Sequence, residues 1–225
     1  MKLHLLLSVI SLPLWAAAQD GQQLINGLRS KWDRVNDYAV QADIRSEIPL
    51  IKSFPVKATV YFKQKDRFKV VSKGIAILPR QNFNELPRFL SLENAYTALV
   101  TGKETIAGVD CTQLTVLPSD DAGDLLLLKL WVDTEKNLLL RSQTTTRSNG
   151  TVSAQYSYGR QAAFGLPDRL QFTVDVKKFK IPKGLATDIN RTSTPEKEPA
   201  KNGTITVVFT DYVINKGLND GLFKN

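Results

Sequence analysis

Apolar and polar residues alternate with a period of two over much of this chain, and that alternation constrains its fold more than any other feature. In the clearest run, Leu170, Phe172, Val174 and Val176 are separated by polar residues. Successive side chains of a β-strand point to opposite faces, so such a run forms a strand with one buried and one solvated face. The sequence therefore predicts a β-rich, mainly antiparallel fold.

Eleven candidate strands follow from this alternation and from the turn residues between them. One hairpin is especially well marked, because Asn149-Gly150 suits the positive φ angles of a type I′ turn. The candidate strands are residues 38–47, 55–63, 66–72, 74–79, 96–106, 110–117, 125–134, 138–147, 151–159, 168–179 and 203–213.

Two helical segments are predicted beside the strands. The first precedes strand 38–47, and its apolar face is formed by Leu24, Ile25, Leu28, Trp32 and Val35. The second falls within residues 83–92, which contain few β-branched residues and a proline suited to a first helical turn. This short helix could form a lid, with Leu86, Phe89 and Leu90 as its apolar contacts.

A twisted antiparallel sheet of this many strands splits, closes or half-closes. A closed or half-closed sheet encloses an interior. The alternation alone does not tell whether side chains fill that interior or leave a cavity.

The first residues have the pattern of an export signal. Lys2 precedes an apolar run from Leu5 to Ala18, which is shorter than the roughly 20 residues of a membrane span. We expect residues 1–19 to be a cleaved signal peptide and residues 20–225 to form a single domain. The only cysteine, Cys111, lies far from this cleavage point, so no N-terminal lipid is expected on the mature chain.

Residue counts argue against most catalytic chemistry. The only histidine, His4, lies in the predicted signal peptide, which excludes Ser-His-Asp and Cys-His chemistry and histidine-ligated zinc from the mature chain. Cys111 is then expected to be a small buried hydrophobic residue. The three carboxylates of residues 119–124 lack the ligand spacing of a calcium loop and predict a polar turn. We expect no enzyme activity, no cofactor and no metal.

The chain is basic, with 30 lysine and arginine residues against 22 acidic residues and a formal net charge of +8. This excess favours encounter with anionic membrane surfaces or acidic partners. The basic residues are dispersed along the strands without an arginine-rich helix or a stacking motif, so nucleic acid is not an expected partner.

Several short motifs follow one another in an order that resembles a known family. They are Tyr61-Phe62-Lys63, Asp66-Arg67-Phe68, Gly108-Val109-Asp110-Cys111, Leu114-Thr115-Val116-Leu117-Pro118, Leu130-Trp131-Val132-Asp133, Asp211-Tyr212-Val213-Ile214-Asn215 and Leu222-Phe223-Lys224. In this order the chain resembles the LolA/LolB-type outer-membrane lipoprotein carriers and lipoprotein-sorting proteins. The resemblance spans nearly the whole mature chain. It implies a mainly β fold with a few helices, in which an incomplete, half-open antiparallel β-barrel of about 11 strands is capped by helices.

The resemblance also implies a function. Such a protein is a periplasmic carrier that binds the acyl chains of lipoproteins, or another lipid, in an apolar cavity and ferries them toward the outer membrane. Its expected partners are that ligand and the inner- and outer-membrane components of lipoprotein transport, and we expect it to act as a monomer.

The apolar face of the predicted strands supplies the candidate lining of this cavity. Residues of this kind are simply core in most β proteins, so tight packing is the alternative interpretation. The candidates are Val60, Phe62, Phe68, Val70, Leu114, Val116, Leu128, Leu130, Val132, Phe172 and Val174.

One position departs from the carriers. They place an arginine just after the strand that corresponds to Tyr61-Phe62-Lys63, where it can bond to carbonyl groups of the lid and keep the empty cavity closed. Gln64 occupies that position here, and Arg67 lies three residues further on. Gln64 and Arg67 are therefore the candidate gate residues.

Three other functions remain open from the sequence. One is an envelope-stress sensor or regulatory domain of the same fold that binds a membrane-protein partner. Another is a hydrolase that uses carboxylates alone, and the third is a structural barrel filled by its own side chains.

Overall fold

The computed structural model describes residues 14–49, 55–64, 67–74, 86–92, 94–120, 123–148, 150–175 and 202–224. These residues form two α-helices and ten strands. The elements are α1 (Leu14–Trp32), β1 (Asp37–Glu47), β2 (Val56–Lys63), β3 (Arg67–Ser72), α2 (Leu86–Ser91), β4 (Tyr96–Ile106), β5 (Val109–Pro118), β6 (Leu125–Asp133), β7 (Leu138–Thr146), β8 (Gly150–Ser157), β9 (Arg169–Asp175) and β10 (Asn202–Ile214), with 3-10 turns at Ala162–Phe164 and Asp220–Phe223.

All ten strands belong to one antiparallel sheet in the order β3-β2-β1-β10-β9-β8-β7-β6-β5-β4. Since β3 and β4 are the two ends of this order, the sheet is open, as a half-open barrel requires. The predicted mainly β fold class is confirmed. The hairpin predicted between candidate strands 138–147 and 151–159 is found, since β7 pairs with β8. The predicted two-residue type I′ turn centred on Asn149-Gly150 is wrong, because Gly150 already belongs to β8 and pairs with Thr146. The candidate strand 74–79 lies outside the described residues, apart from Gly74.

The apolar side chains of the sheet form two separate clusters on its inner face. One cluster lies on β1, β2, β8, β9 and β10, and includes Val60, Phe172 and Val174. The other lies between α1, α2 and strands β4 to β7, and includes Leu114 and Leu130. Tyr156 of β8 packs against both clusters. Burial of these side chains is the main stabilising term of the fold, at about 1.5–3 kcal/mol for each large aliphatic residue.

Helix α1 crosses the sheet at β4, and a glycine permits its close approach. A Cβ atom at Gly21 would lie less than 2.5 Å from the carbonyl oxygen of Ala98, which no side chain could tolerate. Ile25 and Leu28 of the predicted helical face are fully buried beside β4 to β7. The predicted amphipathic helix is therefore confirmed, but the placing of Val35 on it was wrong, because α1 ends at Trp32 and the buried Val35 lies beyond that end. Within the described part of the chain, no helix is both long and apolar enough to cross a membrane.

Cys111 lies on β5 with 2% of its surface exposed. Burial and the neighbouring Asp133 carboxylate raise the pKa of its thiol, which keeps it in the unreactive protonated form. The prediction that Cys111 is a small buried residue is confirmed.

Candidate ligand-binding cavity

A cavity of about 670 Å³ opens at one end of the sheet. It lies where β1, β3 and β9 begin and where β2, β8 and β10 end, since antiparallel strands alternate in direction. Its wall residues are Trp32, Asp33, Val35, Tyr38, Phe62, Gln64, Phe68, Leu86, Pro87, Arg88, Ser91, Leu92, Leu139, Tyr156, Tyr158, Gly165, Leu166, Pro167, Leu170, Phe209 and Tyr212. The volume falls within the roughly 300–1,000 Å³ of typical small-molecule sites.

Aromatic side chains make up much of the cavity wall, and several of them hold one another in place. The Tyr38 ring stacks on Phe62, with the ring centroids 5.3 Å apart, and meets the edge of Tyr212 at 5.7 Å. Tyr38 and Phe62 are also direct partners across β1 and β2. Cross-strand aromatic pairs of this kind fix ring orientation as well as adding stability.

A β-bulge brings Tyr212 to this wall. Asp211 has a positive φ of 56°, and the pairing of β1 with β10 shifts by one residue at this point, between Ala39 and Gln41. In a regular strand, two side chains three residues apart point to opposite faces. Without the extra residue, Tyr212 would therefore face away from Phe209. The bulge restores the common face, and the two rings lie 5.9 Å apart.

Three of the cavity's tyrosine hydroxyls already have hydrogen-bond partners in the protein. Tyr158 donates to the Leu139 carbonyl and Tyr212 donates to the Pro167 carbonyl, each at 2.8 Å. The Tyr156 hydroxyl lies 3.1 Å from that of Ser142. Burial raises the pKa of Tyr156 to about 12 and raises the pKa values of Tyr158 and Tyr212 as well, so these groups stay neutral and add no charge to the cavity.

The mouth of the cavity is marked by the wall residues that are also exposed to solvent. They lie where α1 ends, after β2, and on the outer side of α2 and just beyond it: Asp33, Gln64, Arg88, Ser91 and Leu92. Asp33 and Arg88 are the charged members of the described wall. The deeper wall is apolar and aromatic, which favours an uncharged, hydrophobic occupant.

The end of α1 is held by two side-chain amides from the sheet. Gln64 Nε2 donates to the carbonyl oxygens of Asp33 and Val35, at 3.2 and 3.1 Å. Asn215 Nδ2 donates to the carbonyl oxygen of Arg34 at 2.8 Å. These carbonyls follow the last helical turn, where partners within the helix are lacking. The two amides therefore fix the end of α1 beside the mouth.

The two candidate gate residues have different partners in the structure. Gln64 binds carbonyls at the end of α1, as described above. Arg67 pairs with the Asp220 carboxylate at 2.7 Å and lies over the Phe223 ring, with its guanidinium carbon 5.8 Å from the ring centroid. Arg67 thus anchors the C-terminal 3-10 turn to β3. A gating role for either residue stays a prediction.

Replacing Gln64 by alanine is expected to lower the free energy of unfolding by about 1 kcal/mol, because two carbonyls lose a protein donor and are left to water. Urea unfolding of the two proteins measures this difference. Gln155→Ala is the matched control, since Gln155 is exposed on β8, and it should change stability by less than about 0.5 kcal/mol. Equal effects of the two substitutions would show that the amide of Gln64 does not hold α1.

The structure separates the predicted lining residues into two groups. Phe62 and Phe68 are part of the cavity wall. The others lie in or against the two apolar clusters: Val60, Val70, Leu114, Val116, Leu128, Leu130, Val132, Phe172 and Val174. Contact between a ligand and these residues stays a prediction, and any such contact requires the clusters to open.

The short helix predicted within residues 83–92 is found as α2. Leu86 and Leu90 are buried, and the Phe89 ring lies 5.3 Å from that of Tyr96. Leu86 also lines the cavity, together with the exposed side of α2. Helix α2 therefore has the position that a lid requires, and its movement stays a prediction.

Sequence reasoning missed most of the aromatic wall, namely Trp32, Tyr38, Tyr156, Tyr158, Phe209 and Tyr212. The positions of several of these aromatic residues in the sequence nevertheless indicate that they lie close together. Tyr38 and Phe68 are the second residues of β1 and β3, and Phe62 is the last but one of β2. Tyr156 and Tyr212 lie near the ends of β8 and β10. In an antiparallel sheet, the start of one strand lies beside the end of its neighbour. Aromatic residues at these positions therefore meet at one end of the sheet.

In the described part of the chain, no three histidine, cysteine, aspartate or glutamate side chains are grouped so that they could hold a metal ion.

Solved structures with the same architecture identify the fold. A domain from Vibrio parahaemolyticus assigned as an outer-membrane lipoprotein-sorting protein aligns over 92% of this chain and 97% of its own, with a TM-score of 0.63 and 10% identity. A LolA superfamily protein from Nitrosomonas europaea aligns over 91% and 97%, with a TM-score of 0.59 and 12% identity. The chain has the LolA-type fold. The resemblance predicted from the sequence is therefore confirmed at the level of fold.

A further solved structure shares this fold, and one family model matches part of the chain. A DUF1329 family protein from Desulfovibrio piger aligns over 92% of this chain and 97% of its own, with a TM-score of 0.58 and 13% identity. The family model of the MucB/RseB N-terminal domain matches residues 56–159, a span that runs from β2 to just past β8. A comparison with curated protein sequences finds no match.

Proposed function

We propose that this protein is a periplasmic carrier that binds the acyl chains of lipoproteins, or of another lipid, and moves them toward the outer membrane. The observation that supports this most directly is the aromatic-walled cavity of about 670 Å³ at the end of the sheet. It lies beneath a short helix, and its deeper wall carries no charged residue among those described. The LolA-type fold supports the same function.

The energetics of such binding are sufficient without a charged anchor. Burying a chain of 16 carbons contributes on the order of 10 kcal/mol, at about 0.8 kcal/mol per methylene, before the cost of ordering. A micromolar dissociation constant corresponds to about 8 kcal/mol. Micromolar or tighter binding is therefore the expected range.

A second candidate is an envelope-stress sensor or regulatory domain that binds a membrane-protein partner. The match of residues 56–159 to the MucB/RseB N-terminal domain supports it. This match relates the sequence of strands β2 to β8 to a family other than the carriers. The two candidates differ in outcome, since a carrier releases its lipid to an acceptor membrane and a regulatory domain need not.

Mature protein, titrated into a fluorescent lipopeptide with a diacylglyceryl-cysteine N-terminus, is expected to give saturable binding in the micromolar range or tighter. It should also accelerate transfer of the lipopeptide from donor to acceptor vesicles. Fluorescence polarisation and a two-vesicle transfer assay measure these effects. Absence of saturable binding would refute lipid binding, and binding without accelerated transfer would favour the regulatory candidate.

A further inference from the structure

The hydroxyl of Tyr38 differs from the other tyrosine hydroxyls of the cavity wall. Tyr156, Tyr158 and Tyr212 each have a protein partner for their hydroxyl group. Within the described ranges of the chain, the Tyr38 hydroxyl has none. Tyr38 is half-buried and belongs to the cavity wall, so part of its exposed surface faces the cavity.

The position of the Tyr38 ring is fixed by its neighbours. It stacks on Phe62 and meets the edge of Tyr212, and its backbone is paired with Phe62 on one side and Ile214 on the other. A donor held this rigidly loses little conformational freedom when an acceptor arrives. It can therefore discriminate between ligands by whether they present an acceptor at that place.

The surroundings of Tyr38 favour a neutral acceptor. The charged groups of the described wall, Asp33 and Arg88, are both exposed at the mouth, whereas the half-buried Tyr38 ring packs against Phe62 and Tyr212. A carboxylate beside these rings would lose its water without gaining a counter-charge. Burial also raises the pKa of Tyr38, so its hydroxyl keeps its proton and acts as a donor at neutral pH.

We propose that Tyr38 is a specificity-determining residue that donates a hydrogen bond to the carbonyl oxygen of an ester- or amide-linked acyl ligand in the cavity. The ligand class is then neutral acyl esters and amides rather than free fatty acids or plain hydrocarbons. A free fatty acid would keep its carboxylate in solvent at the mouth and leave the Tyr38 hydroxyl unused. This inference rests on the proposed lipid-binding function and adds a residue that selects among lipids.

The test compares three probes with the same pyrene-labelled chain: a methyl ester, the free acid, and a hydrocarbon without a carbonyl group. Tyr38→Phe removes the hydroxyl and keeps the ring. It is expected to weaken binding of the ester about fivefold, the usual size of one neutral hydrogen bond, and to leave the other two probes unchanged. A change in cavity shape would alter the affinity of both the ester and the hydrocarbon. The ratio of the two affinities therefore isolates the effect of the hydroxyl.

Tyr61→Phe is the matched control, because Tyr61 lies between Val60 and Phe62 on β2, on the opposite face of the sheet, and is not among the wall residues of the cavity. It removes a tyrosine hydroxyl without changing the ester-to-hydrocarbon ratio. An unchanged ratio in Tyr38→Phe, or an equal loss in Tyr61→Phe, would overturn the role of Tyr38 while the proposed lipid binding stands. Failure of all three probes to bind the unaltered protein would overturn the lipid-binding function itself.

Discussion

Replacing Phe68 by glutamate is expected to weaken binding of an acyl-chain probe at least about 100-fold. Phe68 is half-buried on β3 and contributes its ring to the cavity wall. A carboxylate at this place must either lose its water inside an apolar space or draw water into the cavity, and each outcome opposes hydrocarbon burial. Titration of a fluorescent fatty-acyl ester into the variant protein measures the loss.

Val71→Glu provides the matched control for this experiment. Val71 lies on the same strand, three residues along and on the opposite face, and 49% of its surface is exposed. The same charge added there should leave both binding and the unfolding midpoint nearly unchanged. Wild-type affinity in Phe68→Glu would show that ligands bind elsewhere. Equal losses in the two variants would point to a general effect of negative charge on this edge of the sheet.

The alternation in the sequence predicted the sheet well because it records a local property. Residues two apart in a strand point to the same face, so a short stretch of sequence is enough to tell which face is buried. The structure follows that pattern along β1, where Val40, Ala42 and Ile44 are buried. The place of the β7–β8 hairpin was also predictable, since Asn149-Gly150 has strong turn preferences of its own. The length of the connection was not, because Gly150 pairs with Thr146 as the first residue of β8.

Alternation could not tell which inward-facing residues border empty space. Leu130 and Phe62 share the inner face of the sheet, yet Leu130 is packed beneath α1 and α2 while Phe62 borders the cavity. The difference depends on where the helices cover the sheet, which is set by contacts between residues far apart in sequence. The close approach of Gly21 to Ala98 is one such contact.

The Asp211 bulge shows a second limit. A bulge inserts one residue into the pairing and reverses the face of everything beyond it. A strict alternation carried through β10 places Tyr212 on the outer face, whereas the structure places it against Phe209 and Tyr38. Aspartate is among the residues that tolerate a positive φ, but its identity alone does not fix the position of a bulge.

The C-terminal segment is fastened to the start of β1 by a buried carboxylate. Asp37 is only 4% exposed. Its two carboxylate oxygens accept hydrogen bonds from the backbone N–H groups of Lys216, Gly217 and Leu218, at 3.0–3.3 Å. Gly217 has a φ of 79°, and this left-handed conformation is part of the turn that directs the three N–H groups toward one carboxylate.

Asp37→Ala is therefore expected to lower the free energy of unfolding by about 3 kcal/mol, because three N–H groups lose a charged acceptor in a buried site. Urea unfolding should show a lower midpoint at an unchanged slope. Asp43→Ala is the matched control, since Asp43 is exposed on the same strand, and it should change stability by less than about 0.5 kcal/mol. Because Phe62 and Tyr212 hold the Tyr38 ring, the folded variant should keep the ester-to-hydrocarbon selectivity assigned to that tyrosine. Equal losses of stability in Asp37→Ala and Asp43→Ala would show that the Asp37 carboxylate does not hold the C-terminal segment.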